Sequence, residues 1–173
     1  MPKLTIRLTK REDGRHVTTL VRADGTLTTQ RFTEATAIFF VHHDLTHFAV
    51  ESVLGHARGF YGLVADGWNL PDFGAPWPRG RLPRDLDLAE NVVGLFDTER
   101  ANGHTWTADE FNAALSQYQA AHPEFAAPRP VTEAGLGKIR NELARLFRTW
   151  QTLPVGATLE LAFERADLAP LTA

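Results

Sequence analysis

From Leu4 to Phe32 apolar and polar side chains alternate with period two, Leu4, Ile6 and Leu8 falling on one face and Thr5, Arg7 and Thr9 on the other. That alternation predicts a strand half buried against a core. The breaks "EDGR" at 12–15 and "ADGT" at 23–26 separate it from "HVTTLVR" and "LTTQRF". Asp-Gly favours tight hairpin turns because both residues tolerate positive φ, so this part of the chain reads as a three-stranded antiparallel meander. Near the other end "TLELAFE" alternates again, with Leu159, Leu161 and Phe163 on one face, and offers a fourth strand to the same sheet.

Between these strands the period becomes helical. Residues 34–54 contain neither Gly nor Pro, follow a potential cap at Thr33, and carry Ile38, Phe39, Leu45, Ala49, Val50, Val53 and Leu54 around most of the circumference. Such a helix should run through the core. Further helices are expected over 85–102, with Leu88, Val92, Leu95 and Phe96 as the apolar face, and over 107–121, opened by the capping box of Thr107 and Glu110. A last one starts at Thr132 and presents Leu136, Ile139, Leu143, Leu146, Phe147 and Trp150 at helical spacing. Segment 55–83 is dense in Gly, Pro and aromatics; it predicts a short helix near 57–66 and then a long loop, of the kind that covers a functional site. The pattern as a whole predicts an α+β fold in a single domain over 1–173. A small antiparallel sheet, the amino-terminal meander plus the carboxy-terminal strand, would pack with four or five helices.

Composition narrows the chemistry. The 173 residues are 43% hydrophobic and 23% charged, which suits one globular unit rather than a disordered chain. With a net charge of −3 and 18 Lys and Arg scattered along the sequence, no basic patch is offered to nucleic acid. The absence of cysteine excludes disulfides, thiolate metal sites and a cysteine nucleophile, so any metal must sit on His, Asp or Glu. The charged, alternating amino terminus is unlike a signal peptide, and no apolar run approaches the ~20 residues needed to span a bilayer. The expectation is a cytoplasmic protein without a membrane partner. No Gly-x-Ser-x-Gly elbow occurs, and Ser52 and Ser116 fall within expected helices, which argues against covalent serine catalysis. Oligomeric state is not encoded in any pattern here.

The densest chemistry is "HHDLTHFAVE" at 42–51. His43 and His47 lie one turn apart, with Asp44 and Glu51 beside them in a polar wedge on an otherwise apolar helix; His42 points elsewhere. Buried imidazoles and carboxylates each need a partner, and a divalent ion shared by two histidines would supply one. Zinc is favoured, with iron or manganese also suited to such donors. Asp66, in "GLVADGW", is the first choice for a third ligand, with Glu51, Glu90, Asp97 and Glu99 as alternatives. Asp44 and Glu51 are the candidate catalytic carboxylates, Asp44 to orient a ligand or take a proton. Phe40, Phe60, Tyr61, Trp68, Phe73 and Trp77 are candidate walls of a pocket for a small molecule. His16, His56, His104 and His122 sit beside chain breaks and are expected at the surface or in turns. The expected function is a metal-dependent hydrolase of a small amide or ester; the competing one is a non-catalytic domain that binds a ligand or partner, its histidines purely structural.

"HDLTH" resembles the zincin-type His-Glu-x-x-His helix, with Asp44 in place of the glutamate. The resemblance implies that His43 and His47 are zinc ligands and that the acid between them is a general base, although Asp is one methylene shorter than Glu. The string is also similar to the His-Asp-x-x-His helix of a ubiquinone-biosynthesis family, in which a later glutamate completes the site; Gly59 occupies that position here. The longer "HDLTHFAVE", followed by "GFYGLVADGW", resembles segments of uncharacterised bacterial proteins of this size.

Overall fold

The structure, a computed structural model, describes residues 3–33, 36–123 and 129–164. It is an α+β fold: a four-stranded antiparallel sheet covered on one face by helices. Strands β1 (Leu4–Lys10), β2 (His16–Arg22) and β3 (Leu27–Phe32) form the meander, and β4 (Thr158–Phe163) pairs with the free side of β1, giving the order β3-β2-β1-β4. In the register Leu4 lies opposite Phe163, Ile6 opposite both Leu20 and Leu161, and Leu8 opposite Thr18 and Leu159. These inward side chains are buried, while Arg7 and Glu160 pair on the outer face.

The turn chemistry follows the sequence with one difference. In the β1–β2 turn both Asp13 (φ 56°) and Gly14 (φ 75°) adopt the left-handed region, as Asp-Gly allows. In the β2–β3 turn only Gly25 does (φ 85°); Asp24 instead accepts hydrogen bonds from the backbone and hydroxyl of Thr26.

Five helices cover the inner face: α1 (Ala37–Leu54), α2 (Phe60–Ala65), α3 (Arg84–Asn102), α4 (Ala108–Ala121) and α5 (Glu133–Thr152). The helix expected over 34–54 thus begins later, with Thr36 rather than Thr33 at its N-cap; residues 34 and 35 lie outside the described residues. It ends where Gly55 takes the left-handed conformation and returns its N–H to the Glu51 carbonyl. From Val41 onward α1 is the central helix of the core, but in its first turn only Ala37 is buried, and Ile38 is 54% and Phe39 46% exposed. The expected caps at Thr107 and Thr132 are formed, each side chain accepting from a backbone N–H of the first turn. Segment 55–83 holds α2 and a 3-10 turn at Leu70–Phe73 before it reaches α3. Among the described residues no helix is long and apolar enough to cross a membrane.

One histidine departs from expectation. His16 is a core residue, stacked on Phe32 with ring centroids 4.5 Å apart and edge-on to Trp150, and both its ring nitrogens lack a partner. Its place opposite Phe32 on the inward face of the sheet, and not the neighbouring turn, decides its burial. Burial pushes its pKa down to about 4, so it packs as a neutral aromatic ring.

Candidate metal centre

Helices α1 and α3 pack side by side. His43 meets Asp97 while His47, four residues further along α1, meets Glu90, seven residues earlier on α3, so the two helices run antiparallel. Glu90 and Asp97 belong to the stripe of α3 that also carries the buried Leu86 and Val93, which directs them toward α1.

Both imidazoles turn Nε2 toward one point. His47 Nε2 lies 3.2 Å from His43 Nε2 and 3.3 Å from a Glu90 carboxylate oxygen, and His43 Nε2 lies 3.9 Å from the other Glu90 oxygen. Donors bound to zinc at about 2.0–2.1 Å in a tetrahedron stand ~3.3 Å from one another, close to the separation of the two nitrogens and to that of His47 Nε2 from its nearer Glu90 oxygen. His43, His47 and Glu90 are a donor set of the right types, each offering one ligand atom within 4.8 Å of the others.

The far side of each ring fixes its tautomer. His43 Nδ1 is 2.7 Å from Asp97 Oδ2, and His47 Nδ1 is 3.1 Å from Glu51 Oε1. A carboxylate can only accept, so each Nδ1 carries the proton and each Nε2 keeps a lone pair aimed at the shared point. Two lone pairs that close repel each other unless a proton or a cation lies between them. Without a metal the proton serves: burial opposes a charge on His47, but Glu90 and Glu51 outweigh it and push the pKa up to about 10.

Glu51 is fully buried and held from behind. Its pKa is raised by burial, a rise that His47 and the backbone N–H groups of Gly62 and Tyr61 offset only in part. Tyr61 N–H donates at 3.0 Å and Gly62 N–H at 3.3 Å to the same oxygen, an arrangement that stabilises the anion and leaves the proton on His47. Gly59 makes the approach possible, because a Cβ there would stand 2.4 Å from the Glu51 carboxyl carbon. The position at which the ubiquinone-biosynthesis helix would carry a glutamate is therefore the surface on which Glu51 rests. Asp97, by contrast, is held below the usual carboxylate range: burial opposes this, but its bonds to His43 and Arg100 prevail.

Asp44 occupies the same region from the sheet side. It accepts from the Thr18 hydroxyl at 3.2 Å, and burial raises its pKa to about 6 against the opposing pull of His43 and His47. With His43, His47 and Glu90 it lines a cavity of ≈ 300 Å³ whose walls include Phe40, Phe60, Leu70, Phe73, Leu82 and Leu86. Larger depressions of ≈ 560 and ≈ 730 Å³ lie elsewhere on the surface, away from the donor cluster.

The other sequence candidates fall as follows. Asp66, the first choice for third ligand, is exposed at the C-cap of α2 and is not in the donor set; Glu90, from the next helix, takes that place. Glu99 is engaged by Arg140 and the Trp106 N–H. Glu51 supports a histidine from behind instead of completing the donor set. Phe40, Phe60 and Phe73 do wall the cavity, but Tyr61 is a fully buried core residue that donates its hydroxyl to the Asp44 carbonyl. Trp68 packs on Phe73 under Arg79, and Trp77 is exposed with φ 57°; neither lines the cavity. The short α2 and the chain after it carry their aromatics at irregular spacing, so their facing was not deducible from periodicity. No family model matches the chain, and no curated protein or solved structure is similar to it.

Proposed function

We propose that the protein is a metal-dependent enzyme whose ion, zinc before iron or manganese, is held by His43, His47 and Glu90. The observation that carries this reading is the convergence of two Nε2 atoms and one carboxylate on a single point at the floor of a cavity, each imidazole being braced by a second carboxylate. Three protein donors would leave such an ion a coordination position for water or substrate, which is the pattern of catalytic rather than structural sites. A divalent ion there supplies Lewis acidity to a bound substrate. Asp44, on the cavity wall with a pKa near 6, is suited to hold or pass a proton close to neutral pH. Hydrolysis of a small amide or ester is the reaction such a set serves best.

A second reading has its own observation. Both Nδ1 atoms already face carboxylates, and a proton on His47 satisfies the cluster without a metal, so the histidines could be structural and the cavity a site for ligand binding alone. Elemental analysis of untagged full-length protein separates the two. About one equivalent of zinc, lost in Glu90→Gln and in the His43→Ala, His47→Ala double variant, supports the metal reading. Turnover of small nitrophenyl esters or anilides that requires the ion and is abolished in Asp44→Asn supports the hydrolase. No uptake after reconstitution overturns the metal site, and full loading without turnover of any such substrate overturns the hydrolase.

A further inference from the structure

The cavity over His43, His47 and Glu90 has an ionisable floor and apolar walls. Asp44 and Glu90 lie at the floor, and Glu51 and Asp97 stand behind the histidines, so carboxylates outnumber imidazoles there. The walls are the phenyl rings and leucines named above, and the described lining residues include no Lys or Arg. Apart from the histidines and carboxylates of the floor, Gln30 is the one polar side chain in the described lining; it stands opposite Thr18 in the β2–β3 register, on the face of the sheet that looks into the cavity, and is exposed at the rim.

These features discriminate by charge. A carboxylate or phosphate carried at the distal end of a ligand would lose its hydration against phenyl and leucine side chains with no cation to receive it. An ammonium group would approach a divalent ion. An uncharged apolar body loses nothing on entering and gains the transfer free energy of its buried surface. A volume of ≈ 300 Å³ is at the small end for ligand cavities and suits a molecule of about a dozen non-hydrogen atoms.

We infer that the site takes an uncharged small molecule with an aryl or branched-alkyl body, its single ligating polar group facing the ion and Asp44 and its body against Phe60, Phe73 and Leu86. This rests on the metal reading above. It selects neutral acyl or aryl amides and esters over amino acids, dicarboxylates and phosphate esters.

Hydroxamates that differ only beyond the chelating group test it, because zinc anchors all of them alike and the walls make the difference. Calorimetric titration of the zinc-loaded full chain with benzohydroxamate should give binding at least ~30-fold tighter than with acetohydroxamate, and 4-carboxybenzohydroxamate should lose that gain. Gly74→Trp supplies the control. Gly74 lines the cavity in an extended conformation, and nothing lies within 4 Å of a Cβ built on it, so the backbone accepts a larger side chain at this position of the lining. With the lining altered, the variant should no longer distinguish the aryl compound from acetohydroxamate. Equal affinities for the three probes, or tighter binding of the carboxylated one, overturns the inference while leaving the metal site standing. If the protein takes up no zinc, the metal reading has failed and the walls are judged alone on metal-free protein: benzamide bound tighter than acetamide, and lost in Gly74→Trp, retains the apolar cavity, whereas no preference overturns it.

Discussion

His42 and His43 are neighbours in sequence yet face different worlds. On the α5 side of α1, His42 bonds to the Ile38 carbonyl at 2.8 Å and sets its edge against Phe147, and Thr46 returns its hydroxyl to the His42 carbonyl at 2.8 Å. Each polar group there is satisfied by its own helix, and α5 brings apolar side chains, Leu143, Leu146 and Phe147 among them, to the core. On the α3 side His43 and His47 draw in Asp97 and Glu90 from another helix, besides Glu51 of their own, and the imidazoles and Glu90 converge. Titration follows the same division: burial, as the leading cause, lowers the pKa of His42, while surrounding carboxylates raise that of His47 to about 10. A buried polar residue that closes on its own helix is accommodation; one that recruits partners across elements has a claim to be a site.

If one side of α1 holds the fold and the other the chemistry, the two should be separable. The largest effect belongs to Leu146→Ala, which empties a fully buried position on α5 and should cost about 3–4 kcal/mol in urea unfolding, while zinc stoichiometry in the folded variant is unchanged. Loss of zinc uptake in that folded variant would break the division. Next comes the pH dependence of the metal-free protein. His47 has a folded pKa of about 10 against an ordinary 6.5, so its contribution is fully present below 6.5 and disappears as pH rises through 10. Asp44, raised from 3.8 to about 6, contributes in the same sense at lower pH: its share is present below 3.8 and gone above 6. Stability should therefore fall by a few kcal/mol between pH 6.5 and 10, and His47→Asn should flatten that limb. The smallest effect sharpens the contrast. His42→Ala should cost under about 1 kcal/mol and leave zinc affinity within about threefold, whereas His43→Ala, one residue along, should abolish zinc binding.

What the sequence disclosed was local. Period-two alternation, Asp-Gly turns, the Thr107 capping box and the stripe of α5 depend on neighbours a few residues away, and they disclose the meander and four of the helices, whereas the placing of β4 beside β1 rests on pairing across the length of the chain. His43 and His47 were legible for the same reason, being one turn apart. Glu90 could be weighed but not chosen, because its role depends on how α3 is set against α1, and that register is decided by packing between segments far apart in the chain. A signal did exist: Glu90 and Asp97 interrupt the apolar stripe of Leu86 and Val93, and charged residues in a buried stripe ask for partners. His16 misled because a turn beside it suggested exposure, while its pairing with Phe32 placed it inward.

Gly59, which lets Glu51 settle against the start of α2, also bears on how the centre is assembled in time. Glu51 and Tyr61 are 10 residues apart, His43 and Asp97 54. Closing the longer loop costs about 1.5 kcal/mol more chain entropy, so the brace on His47 is expected to form early in refolding, before α3 delivers Glu90 and Asp97. Early protection of the Tyr61 and Gly62 amides in pulse-labelled hydrogen exchange would display that order. The nascent protein would then hold one oriented imidazole waiting for the helix that completes the set.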